Sequence, residues 1–335
     1  MEHIEQLTET VDDQENGTID IPLATEQPDK IHRSFIEANT IASSLHDIKR
    51  NHIIPVYIKD NETLISQTDF IETTMDVVRS IYCTEQVLQP IVRVSHPMKG
   101  RIPDARDKPA NELQDHEKTL YYERMAFLIE IPSIQGTVGD NTLSLTVGGV
   151  KSYSQDNLYG RKGSDEHFKV FIGFKNTVCT NLCVWTDGYL GVLKVNTMGQ
   201  LTGCIRTLIE NYNAGYHIQQ MEQLTKYSLT EQQFAILIGR CRMYQHLPND
   251  LKKDIPSLLL GDTQIGMACK DFYRDESFCR NENGTINLWR LYNLFTGANK
   301  TSYIDSFLDR SVNAYHFIEQ LRFALQNQTN NWFLN

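Results

Sequence analysis

Two basic stretches carry the residue types best suited to hold a polyanion. The first, 95–109 (SHPMKGRIPDARDKP), bears Lys99, Arg101, Arg106 and Lys108 among three prolines. Proline fixes φ and stiffens a loop, so cationic side chains on it are held outward, as phosphate contacts require. Asp104 and Asp107 offset half of that charge, and a solvated connector is the competing reading. The second, 153–169, sets Arg161 and Lys162 between Gly160 and Gly163, with Tyr153, Tyr159 and Phe168 nearby and Lys169 at its end. Glycine lets backbone N–H groups approach an anion, and aromatic rings stack on unpaired bases. The pattern suits single-stranded DNA or RNA, although an ordinary hairpin tip has the same composition. Convergence of Arg101, Arg106, Arg161 and Lys162 on one face would favour the binding reading.

Other constellations point to less chemistry. Cys179 and Cys183 stand four apart, which puts both thiols on one face of a helix or strand. Zinc needs about four ligands, and the remaining His and Cys show no paired C-x2-C spacing, so two small buried side chains are expected and no metal. No basic residue lies close in sequence to lower either thiol pKa. A metal-dependent nuclease needs converging carboxylates. The sheet region offers Asp104, Asp107, Asp115, Glu117, Glu123, Glu130, Asp165 and Glu166, and its densest cluster, Asp165-Glu166-His167-x-Lys169, lacks an acid-x-Lys strand pattern. Gly297-Ala-Asn-Lys300-Thr301 imitates the end of a phosphate loop without its spacing, Asp115-His116-Glu117 has no second His four positions on, and no Gly-x-Ser-x-Gly elbow occurs. No catalytic residue and no cofactor are assigned.

These stretches sit in a chain of 335 residues with 32 basic and 42 acidic side chains, a formal charge of -10 and 32 aromatic residues (3 Trp, 15 Tyr, 14 Phe). That length suggests about two domains and ample core. Residues 1–29 hold nine acids and no Lys or Arg, so the rest carries 32 basic against 33 acidic side chains, a net of -1. The acidity therefore belongs to an N-terminal segment, 1–30, too polar to fold alone. It does not exclude a nucleic-acid partner for the near-neutral body. No run approaches the roughly 18 apolar residues of a membrane helix, and the first residues lack a signal peptide's basic and apolar regions. With seven scattered cysteines, this predicts a cytoplasmic chain with reduced thiols and no membrane partner.

Periodicity supplies the elements that must position the basic stretches. Helical spacing is expected over 31–50 and 67–83, the latter capped by Thr68 or Asp69, with a hairpin about Asp60-Asn61 between them. Strands are expected at 91–94, 120–131, 142–150, 168–174 and 190–195. The pair 120–131 and 142–150 reads as a hairpin with an extended GTVGDN loop, and 190–195 as buried on both faces. Helices are expected at 199–216, 230–247, 263–272, 287–296 and 303–326, with Ser228 or Thr230 before Glu231 as a cap. The prediction is an α+β fold. A twisted antiparallel sheet with flanking helices spans 31–197, and a mostly helical region spans 198–335. The apolar end, Trp332-Phe333-Leu334, either docks on its own domain or supplies a self-association patch, which leaves a homo-oligomer open.

Several strings carry a family likeness: 94–103 (VSHPMKGRIP), 117–125 (EKTLYYERM), 147–151 (VGGVK), 165–174 (DEHFKVFIGF) and 178–188 (VCTNLCVWTDG). Through them residues 30–335 resemble the Bacteroidetes family catalogued as "domain of unknown function 3871", often found near mobile elements. The VCTNL segment and 287–293 (NLWRLYN) are also similar, more weakly, to a phage- and plasmid-borne family, "domain of unknown function 932". Neither resemblance implies an activity or a site residue; both imply a mobile-element setting. The resulting expectation is a non-enzymatic mobile-element protein that binds, and in one form anneals, single-stranded nucleic acid through 95–109 and 153–169. The alternatives are a regulatory module acting on host or element proteins and a metal-dependent nuclease.

Overall fold

The β-branched and aromatic runs of the middle third pair into one antiparallel sheet. A computed structural model describes residues 34–51, 65–105, 107–157 and 165–335. Along it run β1 (Ile41–Ser43), α1 (Leu45–Asn51), α2 (Gln67–Ile81), β2 (Ile91–Val94), β3 (Pro97–Arg101), β4 (Lys118–Tyr122), β5 (Arg124–Val138), β6 (Asn141–Ser152), α3 (Tyr153–Asn157), β7 (Glu166–Asn176) and β8 (Leu182–Val195). Then follow α4 (Met198–Asn211), α5 (Ala214–Gln223), β9 (Ser228–Leu229), α6 (Glu231–His246), α7 (Asn249–Lys252), α8 (Asp262–Arg274), β10 (Ile286–Asn287), α9 (Leu288–Asn299) and α10 (Ile304–Asn327). The main sheet has the order β1-β2-β5-β6-β7-β8, while β3 pairs with β4 and β9 with β10. The fold is α+β, with a mostly helical C-terminal region.

Strand alternation sends the two faces of the sheet into two cores. Phe127, Val147, Phe168 and Ile172 pack with Phe70 of α2 and with Leu201 and Ile205 of α4. Ala126, Leu128, Val150 and Phe171 face the other way, onto Phe35, Ile36 and the Ile304, Phe307 and Leu308 side chains of α10. Gly149 makes the first contact possible: a Cβ there would lie 2.5 Å from the Phe70 ring. The first of these cores also takes in Phe317 and Phe333, so the C-terminal helices share it with the sheet.

Several expected boundaries shift. The helix of 31–50 begins only at Leu45, because Ser44 Oγ accepts the Asp47 N–H at 3.0 Å while Ile41 pairs with Val94 as an edge strand. The Asp60-Asn61 hairpin lies outside the described residues. Ser66, and not Thr68 or Asp69, caps α2; its Oγ accepts from Asp69 N, and Asp69 returns a carboxylate to Ser66 N. Replacing Ser66 by Ala should cost about 1 kcal/mol in urea denaturation. A loss indistinguishable from zero would mean that packing of Phe70 and Ile71 alone sets this terminus.

The expected strand 120–131 divides, since Lys118–Tyr122 pairs with β3 and β5 starts at Arg124. The GTVGDN loop is mostly ladder: Gln135 to Val138 pair with Ser144 to Asn141, and Gly139 at φ 54° turns the chain. The strand 190–195 is not buried on both faces; β8 is the last strand of the sheet, and Val192 is 76% exposed. The helix 199–216 breaks at Tyr212, because Asn213 accepts from Tyr216 N at 2.9 Å and starts α5. Thr230 caps α6 as expected. The apolar C-terminus docks on its own chain: Phe333 is buried with its ring 4.7 Å from Phe317, and Arg240 lies 4.9 Å over Trp332.

Candidate nucleic-acid interface

The two basic stretches leave the sheet from the same end. Val94 pairs with Met125, Arg124 with Ser152, and Lys151 with Phe168. The β3–β4 ribbon thus emerges between β2 and β5, and the connection after Ser152 emerges between β6 and β7. With strands about 4.8 Å apart, these exits are roughly 10 Å from one another.

Register determines which ribbon side chains meet. Lys99 lies opposite Leu120, and Arg101 opposite Lys118. Residues two apart share a face, so Lys99, Arg101, Lys118 and Leu120 line one side of the ribbon. With Ala110 and Leu113 they enclose a cavity of about 640 Å³. Lys118 is also bonded to Asp115 at 2.8 Å, and Arg101 donates to the Lys108 carbonyl. Lys108 itself is turned away, onto Glu117. That ammonium and the Gln114 N–H hold the Glu117 carboxyl below the usual range. Of the four cations expected in 95–109, the structure thus gathers Lys99 and Arg101, engages Lys108 elsewhere, and leaves Arg106 outside the described residues. Lys118 was missed because only the pairing of two short strands brings it opposite Arg101.

The second stretch is built differently from its sequence appearance. Tyr153 and Phe168 are each 1% exposed, so neither ring is presented for base stacking. They enclose the buried Lys151 ammonium instead, which lies 5.4 Å and 4.0 Å from the two ring centroids. Lys151 donates to Asp156 Oδ2 at 3.0 Å and to Glu166 Oε2 at 2.8 Å. Glu166 Oε1 accepts from Ile65 N, and Asp156 Oδ1 from His167 N. Burial raises the Tyr153 phenol far above its ordinary pKa. This ionic clasp ties the start of the connection to its end. Tyr159, Arg161 and Lys162 lie outside the described residues. Lys169 points to the α10 side, where its Nζ donates to Asp305 O at 2.5 Å and Asp309 Oδ2 at 2.6 Å.

The cysteine motif is structural. Cys179 and Cys183 are buried, and burial pushes both thiols up, away from nucleophilic or metal-binding thiolate. All seven cysteines are free. Asn181 donates to Asn293 O at 3.0 Å, and Lys300 to the Cys179 carbonyl and to Thr180 Oγ1. The VCTNL and NLWRLYN strings are thus two halves of one contact, which clasps α9 to the start of β8. Among the described residues no group of three or more His, Cys, Asp or Glu is placed to hold a metal ion. The convergence a two-metal nuclease needs is therefore missing from them; Glu130, for example, is engaged by Lys175 and Ser144. No helix among them is long and apolar enough to cross a membrane.

One family model matches the chain, over residues 14–334, and its description reads "Domain of unknown function, B. Theta Gene description (DUF3871)". The match begins inside the acidic segment, ahead of residue 30, and it does not extend to the second family. No curated protein and no solved structure matches.

Proposed function

Because the chain belongs to the DUF3871 family, whose description carries no activity, its function is to be read from its own surface, and we propose that it binds single-stranded nucleic acid at the end of the sheet that carries the β3–β4 ribbon. The observation that supports this is the convergence of Lys99, Arg101 and Lys118 on one cavity beside the exposed Leu120. Lys and Arg there would take phosphates, and Leu113 and Leu120 would take the apolar faces of sugar or base. The exit of the second stretch roughly 10 Å away extends the same end. The stacking roles expected of Tyr153 and Phe168 form no part of this reading.

Three phosphate contacts on a single strand give a slope of log affinity against log salt of about -2. Fluorescence anisotropy of a labelled single-stranded oligonucleotide with the full chain measures it. Lys99→Glu with Lys118→Glu should weaken binding at least about tenfold at low salt and leave the melting temperature unchanged, because both side chains are exposed. Binding that ignores salt, or that is absent at low salt, overturns the reading.

A further inference from the structure

We propose that the cleft between β7, β8 and the first turns of α10 is a pocket for one nucleobase of the bound strand. The inference rests on the nucleic-acid reading above and adds the group that is recognised. The cleft holds about 230 Å³ and is lined by Ser152, Gln155, His167, Lys169, Val192 and Asp309, with Val150 and Gly191 on its apolar wall. It falls below the roughly 300–1,000 Å³ of drug-sized sites, which leaves room for a single ring system.

Charge argues for a base and against a phosphate. Lys169, the lysine of the cleft, is matched by Asp309 at 2.6 Å, and Asp305 adds a second carboxylate to the lining. A phosphate would meet two carboxylates there. A neutral planar heterocycle meets an apolar wall with its face and a donor-and-acceptor rim with its edge. The rim is pre-set. Asp309 accepts from Tyr189 Oη at 2.6 Å and from Lys169, and its carboxylate retains acceptor capacity for an amino group. Lys169 has spent two of its three N–H donors, on Asp305 O and Asp309. Gln155 adds an amide that both donates and accepts.

Position agrees with chemistry. Ser152 closes β6 at the end of the sheet from which the ribbon also leaves. A strand lying across that end would carry phosphates on Lys99, Arg101 and Lys118 and could turn one base under α10. The base would sit on the sheet face opposite the ionic clasp of Lys151, since Lys169 and Lys151 project from opposite faces.

The test compares a labelled oligonucleotide with an abasic strand of equal length, by anisotropy on the full chain. The wild-type protein should bind the base-containing strand about tenfold more tightly. Val192→Trp places a ring in the cleft from a 76% exposed position on an edge strand, so the core is spared. It should erase that preference and leave the abasic affinity and its salt slope unchanged. Gln155→Ala should reduce the preference several-fold while the thermal melt stays put, which separates recognition from folding. Equal affinity for the two strands with salt dependence retained overturns the pocket and leaves the ribbon standing. A preference that survives Val192→Trp also overturns the pocket. No binding of either strand at low salt overturns both.

Discussion

Lys151→Met should destabilise the protein by about 3–5 kcal/mol in urea denaturation. The side chain is fully buried, and its ammonium is held between two carboxylates that are themselves buried, Asp156 and Glu166. Methionine has nearly the same length and fills the same space against Phe168, so the loss is electrostatic and not a cavity. With the cation gone, Asp156 Oδ2 and Glu166 Oε2 face each other without a donor between them. Glu166 keeps one backbone N–H, from Ile65, and Asp156 keeps the His167 N–H with the His167 ring at 3.3 Å, which falls short of the hydration two buried carboxylates lose. Adding Glu166→Gln to Lys151→Met should recover part of the loss, because one of the two stranded charges is removed. The pair of variants is diagnostic. A loss near 1 kcal/mol with no recovery would show that water already reaches the clasp.

The clasp also shows what local sequence hides. Tyr153 and Phe168 flank the Arg161-Lys162 pair along the chain, and nearness in sequence suggests one shared surface. Their side is decided by Lys151, which β6 sends inward and which needs two rings and two acids around it. The ribbon was obscured for a related reason. PMKGR reads as a connector, and its partner KTLYY runs into β5 with only Glu123 between them, so the two strands look like one. Lys118 becomes a site residue only through that pairing. By contrast, α6, α9 and α10 were legible because each has an apolar repeat of helical period. The N-terminal half of β8 was not. The Thr186-Asp187-Gly188 triplet imitates a turn within what is a bulged edge strand. At Gly188 a Cβ would lie 2.1 Å from Ile172 O, so the residue that looks like turn punctuation is a close approach of two strands.

The second large effect is acid sensitivity, and His217 is its source. Its ring is fully buried among Trp185, Phe174 and Tyr315, with centroids 5.4, 5.8 and 5.6 Å away. Tyr212 Oη hydrogen-bonds to Nδ1 at 2.5 Å. Protonation would place a cation among these rings, and burial drives the imidazole pKa down to about 3. An unfolded histidine titrates near 6.5. Between those values the unfolded chain takes up a proton that the native protein refuses, so stability is complete above about pH 6.5 and falls as the pH drops. The slope is about 1.4 kcal/mol per pH unit, or about 3 kcal/mol by pH 4.5, and it levels off below the native value. His217→Gln keeps a hydrogen-bond acceptor for Tyr212 and removes the titration. Carboxylates that protonate over the same range act on both proteins alike and cancel in the difference. The gap between wild type and His217→Gln, measured by urea denaturation at pH 7 and pH 4.5, should therefore shift by about 3 kcal/mol in favour of the variant at the lower pH. Parallel profiles for the two proteins would mean that the imidazole is charged in the native state and that its aromatic enclosure opens to water.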